Sequence, residues 1–162
     1  MDEVEKVTSK TIRDGGVLAN LFFDIHTRSK EKAQQLGAGF VQQLLSESGV
    51  VYAVGEIEEP IQDNELFSTY VNVKILVRSF PELANICAIH SPFSVEIRRP
   101  DVINLPIAAA HELLANISTT TSDYKKYIVQ QVSKPEELER YKQILEKKAE
   151  LGKKILEKKE GA

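Results

Sequence analysis

An α+β fold is what this 162-residue chain predicts: a four-stranded antiparallel sheet shielded by helices on one face, with a helical extension behind it. Two stretches alternate strictly with a period of two. In the first, Val17, Ala19, Leu21, Phe23 and Ile25 interleave with Leu18, Asn20, Phe22, Asp24 and His26. In the second, Phe67, Thr69, Val71, Val73, Ile75 and Val77 interleave with Ser68, Tyr70, Asn72, Lys74 and Arg78. Successive side chains of a strand point to opposite faces, so each stretch has one buried and one wetter face. Other segments repeat their apolar residues every three or four positions, the period of a helix.

Residues 1–15 read as a polar lead-in that ends at the turn signal Gly15-Gly16. The first strand runs from Val17 to Thr27. Ser29 can cap a helix in which Ala33, Leu36, Phe40, Val41, Leu44 and Leu45 form the apolar stripe. Gly37 and Gly39 lie inside it, where each costs about 1 kcal/mol relative to alanine, and close approach to the sheet accounts for them. Gly49 suits the left-handed turn that ends a helix. Val50 to Glu58 forms the second strand, with Val51, Ala53 and Ile57 inward, and Pro60, Asp63 and Asn64 turn the chain into the third, Glu65 to Arg78. Ser79-Phe80-Pro81-Glu82 is a capping box that opens a short helix carrying Leu83, Ile86, Cys87 and His90. The fourth strand, Phe93 to Arg99, places Phe93, Val95 and Ile97 inward.

The order strand, helix, strand, strand, helix, strand resembles the ferredoxin-like βαββαβ arrangement, with the first and third strands as central neighbours and both helices on one face. That superfold hosts many unrelated functions, so the resemblance implies architecture and no activity. Within a domain spanning 16–132, residues 16–100 form this core and 101–132 a helical region. There Ala109, Ala110, Leu113, Leu114 and Ile117 make a stripe that the run Ser118 to Ser122 interrupts. A last amphipathic helix occupies 133–162, opened by Ser133-Lys134-Pro135-Glu136, with Tyr141, Ile144, Lys148, Leu151 and Ile155 on one side.

A chain of this length needs neither metal nor disulfide to hold a core. Cys87 is the sole cysteine, which fits a reducing compartment, and no apolar run spans a bilayer, so the expectation is a cytoplasmic protein with no membrane partner. Of 21 basic and 24 acidic residues, nine and seven fall in 133–162, which leaves residues 1–132 at net −5. An acidic domain is a poor match for phosphate backbones, and nucleic acid is disfavoured as a partner.

The three histidines show no metal-ligand spacing, so no metal and no cofactor is expected. Asp24 and His26 share the outward face of the first strand and are the candidate acid–base pair. Cys87 three residues before His90 could make a nucleophile pair, but its place on an apolar stripe points to packing. Phe22 and Tyr70 lie outward on the two central strands, where aromatic rings can stack a ligand or a base. Lys74 and Arg98 could hold a small anionic ligand, although ion pairs across the sheet explain them as simply. The face that carries these residues is more apolar than a lone monomer leaves wet. The expectation is therefore a non-catalytic homo-oligomeric module that binds a small ligand or a protein. A small-molecule enzyme using Asp24 and His26, or a single-strand nucleic-acid binder using Phe22 and Tyr70, is the alternative.

Overall fold

The computed structural model describes residues 1–161. It is a mixed α+β structure with a five-stranded antiparallel sheet and five helices among the described residues. The elements are α1 (Glu3–Arg13), β1 (Val17–Thr27), α2 (Lys30–Leu45), β2 (Val50–Ile57), β3 (Ile61–Asp63), β4 (Leu66–Val77), α3 (Phe80–His90), β5 (Ser94–Arg99), α4 (Ile107–Val132) and α5 (Pro135–Glu160). The strand order is β2-β4-β1-β5, and the short β3 folds back on β4. The described residues form two compact units, 1–118 and 119–161, with the boundary inside α4.

β1 and β4 are the centre. They pair over their whole length, with Val17 opposite Val77, Leu21 opposite Val73 and Ile25 opposite Thr69. Their inward residues Val17, Ala19, Leu21, Val71, Val73, Ile75 and Val77 are essentially inaccessible and form one core with Leu44 of α2 and Leu83 and Ile86 of α3. Burying each such aliphatic side chain is worth roughly 1.5–3 kcal/mol, which explains why the sheet's register is fixed by this face. Ser29 caps α2 by accepting from the Lys32 amide, and Ser79 caps α3 by accepting from the Glu82 amide. Gly37 is buried, and a methyl added there would lie 2.5 Å from Ile57 Cδ1, so this glycine lets α2 approach β2. Gly39 faces open space. Gly49, at φ +81°, sits against the Glu82 carboxylate.

Several expectations are corrected. The sheet has a fifth strand because Ile61–Asp63 pair with Leu66–Ser68 across the turn at Asn64, whose φ is +57°. The polar lead-in contains helix α1: Val4, Val7, Thr8 and Thr11 follow helical spacing, and Thr8 is buried beside Tyr52, its Oγ1 3.1 Å from the tyrosine oxygen. Leu18 and Leu76, on the outward face, are buried at that end of the sheet. A bulge between Val50 and Tyr52 gives Val50 the core position expected of Val51, which instead lines a groove with Val7 and Thr11. The residues from Ser118 to Ser122 continue α4 without a break, since serine and threonine weaken a helix without stopping it and neither glycine nor proline occurs between 107 and 132. Helix α5 begins one residue after Lys134, whose amide donates to the Glu137 carboxylate.

Candidate functional site

β1 runs five residues past its neighbour. It pairs with β5 only from Leu18 to Phe22, whereas its pairing with β4 continues to Thr27. Phe22 still accepts from the Phe93 amide, so by the alternation of peptide directions the groups of Asp24 and His26 face the side where β5 has ended. The far end of the outward face is thus an open corner of the sheet.

Three rings mark this corner. Phe22, Tyr70 and Phe93 form a triangle with centroid separations of 6.3, 6.2 and 6.4 Å, in tilted and edge-on geometries that suit aromatic quadrupoles. The position of Phe93 corrects the inward orientation expected of it. It lies just before β5 begins and turns onto the outward face, while Val95 and Ile97 keep register with Leu21 and Ala19. At 59% exposed, Phe93 is an aromatic ring left in water, and Tyr70 is 40% exposed. They form one wall of a cleft of about 380 Å³, completed by Ile61 of β3 and by Asp24, Glu58, Glu59, Ser68 and Thr69. Lys30 of α2 holds Glu59 at 2.6 Å and its hydrogen bond and charge keep that carboxyl below the usual range. Asp24 and Glu58 add further negative charge to the rim.

The expected Asp24–His26 pair is formed, with His26 Nε2 3.0 Å from Asp24 Oδ2. A third member was not anticipated: Ser68, directly opposite His26 on β4, places its Oγ 3.0 Å from His26 Nδ1. One neutral tautomer satisfies both contacts, the ring donating from Nε2–H to the carboxylate and accepting the serine proton at Nδ1. The serine–histidine–carboxylate order is that of hydrolytic triads, with the two ring nitrogens exchanged. Both partners of the His26–Asp24 pair are more than half exposed, so water screens it and it adds little stability. The sequence signal for Ser68 was its cross-strand position opposite His26.

Lys74 and Arg98 do not line the cleft. Arg98 reaches Glu96 of its own strand at 3.0 Å. A register shift between Leu18 and Ala19 sets Arg99 opposite Leu18, and its guanidinium binds Glu5 and Ser9 of α1. The Ser9 hydroxyl and the arginine hold the Glu5 carboxyl below its ordinary value. The remaining candidates are structural. His90 Nε2 lies 2.6 Å from Glu47 Oε1 and its ring packs edge-on against Phe40, with the imidazole almost wholly buried. Cys87 packs against the core, and burial pushes its thiol up. Among the described residues no three histidine, cysteine or acidic side chains come together as a metal-binding set, and no helix is long and apolar enough to cross a membrane.

Comparison with known proteins gives one match. The model of the MJ0538 family aligns with residues 18–154, from the start of β1 into the sixth turn of α5, so the shared unit includes the sheet and both long helices. No curated protein and no solved structure matches the chain.

Proposed function

We propose that this chain, which belongs to the MJ0538 family, is a non-catalytic, oligomeric cytoplasmic module that binds a small ligand or protein segment at the open corner of its sheet. The observation that carries the reading is the pair of exposed rings Tyr70 and Phe93, backed by the half-buried Phe22, at a cleft of about 380 Å³. Three clustered rings, two of them on the central strands, offer a large apolar contact at little entropic cost, the property that makes aromatics dominate binding surfaces. With Glu59 already paired to Lys30, the carboxylates of Asp24 and Glu58 favour a ligand that brings positive charge to the rim, and Lys74 and Arg98 lie outside the cleft. The frame β1-α2-β2-β4-α3-β5 with order β2-β4-β1-β5 supports a ferredoxin-like topology, to which α1 and β3 are additions. Association is supported by α4 and α5, each 26 residues long and without a buried residue.

A thermal-shift screen with cationic, neutral and anionic metabolites, followed by calorimetry, tests the site. The expected hit is an amine with an apolar body, weakened at least tenfold by Phe93→Ala or Tyr70→Ala. Binding that survives both substitutions, or a hit list of anions alone, contradicts it.

A second reading rests on Ser68, His26 and Asp24, which together could activate a serine hydroxyl for acyl transfer. Labelling with a fluorophosphonate probe separates the two. Labelling that Ser68→Ala and His26→Ala both abolish would establish the enzyme, and no labelling leaves the binding reading alone.

A further inference from the structure

We propose that the helical arm of residues 119–160 binds a second copy of this chain through its apolar faces, with α5 running antiparallel to its counterpart; this rests on the oligomeric reading above. The arm has no core of its own. No residue of α4 or α5 is buried, yet Tyr127, Ile128, Val132, Leu151, Ile155 and Leu156 are each between 52% and 76% exposed. A helix in water draws most of its stability from burying an apolar face, so two helices with open faces require a cover. These six side chains expose roughly 700 Å² per copy, close to the ~800 Å² that each side of a standard specific interface buries.

The identity of the cover follows from the charge pattern. Over its first eight residues α5 carries Glu136, Glu137 and Glu139 against Arg140 and Lys142, a net −1, and over its last eight Lys153, Lys154, Lys158 and Lys159 against Glu157 and Glu160, a net +2. A second α5 laid antiparallel sets the net-negative end of each helix beside the net-positive end of the other. A parallel one stacks like charges. The apolar seam agrees, because Tyr141, Ile144, Lys148, Leu151 and Ile155 alternate by three and four residues, the spacing of coiled-coil core positions. In the antiparallel register that pairs core layers, Ile144 meets the partner subunit's Ile155 and Lys148 meets the partner subunit's Leu151. A charged residue in such a seam is the known device for fixing register and orientation, which gives Lys148 a role. The seam is little more than two heptads long, so α5 alone makes a weak pair, and the exposed Tyr127, Ile128 and Val132 of α4 enlarge it.

Sedimentation velocity of the full chain tests this. The wild type is expected as a dimer or a multiple of one, and Leu151→Glu with Ile155→Glu as a monomer whose sheet unit keeps its unfolding transition. The orientation is read by oxidation in a Cys87→Ser background. Ile144→Cys combined with Ile155→Cys should give covalent dimers, and Ile144→Cys alone should give none. A monomeric wild type overturns both this inference and the oligomeric reading. An oligomer that survives the double glutamate substitution, or one cross-linked by Ile144→Cys alone, overturns this inference and leaves the oligomeric reading standing.

Discussion

Residues 1–118 and residues 119–161 use the same aliphatic and aromatic residues with opposite results. In the first unit the apolar side chains of β1 and β4 meet α2 and α3, and Leu21, Val73 and Ile75 lose all contact with water. In the second, Leu151 and Ile155 repeat at helical spacing but stay more than half exposed. The difference lies in geometry. A sheet offers a surface onto which its own crossover helices fold back, so its unit closes within one chain. A helix presents a narrow stripe that must find its cover on another element.

That contrast sets the order of the expected effects. Leu21→Ala removes a fully buried side chain between two strands and two helices and should cost about 3 kcal/mol in denaturant unfolding. Leu151→Ala, measured on dilute protein, should stay within about 0.5 kcal/mol. Equal costs would erase the distinction between the units. His90→Ala comes next, at about 1–2 kcal/mol, because it strips Glu47 of its partner and opens a space beside Phe40. The glycines of α2 give a finer test. Gly39→Ala should stabilise by about 0.8 kcal/mol, since nothing lies within 4 Å of the added methyl. Gly37→Ala should gain nothing, because Ile57 must move to admit it.

The smallest effect is electrostatic and belongs to α1. The folded-state pKa of Glu5 is depressed by Ser9 and Arg99, so its contribution is present above the ordinary carboxylate range and fades as pH falls through the lowered value. Glu5→Gln should lower stability slightly at neutral pH, leave it unchanged below the lowered value, and so flatten the acid side of the stability–pH curve. A steeper acid limb would contradict the sign.

The sheet was legible because its signal is strong: period-two alternation over eleven and twelve residues admits few other structures, and Ser29 and Ser79 announce their helices. What escaped was set by neighbours rather than by local pattern. Val50 and Val51 exchange roles through a bulge, and Phe93 turns outward because a strand end is free to rotate toward Phe22 and Tyr70. Helix α1 was hidden by its polarity. Its inward positions are Thr8 and Thr11, which a search for aliphatic residues passes over. At the site, Asp24 and His26 could be paired from sequence because they lie on one strand. Ser68 required the register between two strands, which hydrophobic pattern fixes only once the structure aligns β1 with β4.

Hydrogen exchange followed by mass spectrometry across a hundredfold range of protein concentration tests most directly the claim that one unit closes on itself and the other does not. Amides of β1 and β4 should exchange at a rate independent of concentration, while those of α5 should gain protection as concentration rises. Protection in α5 that is strong and unchanged at the lowest concentration would show that the helices need no partner, and would contradict the account.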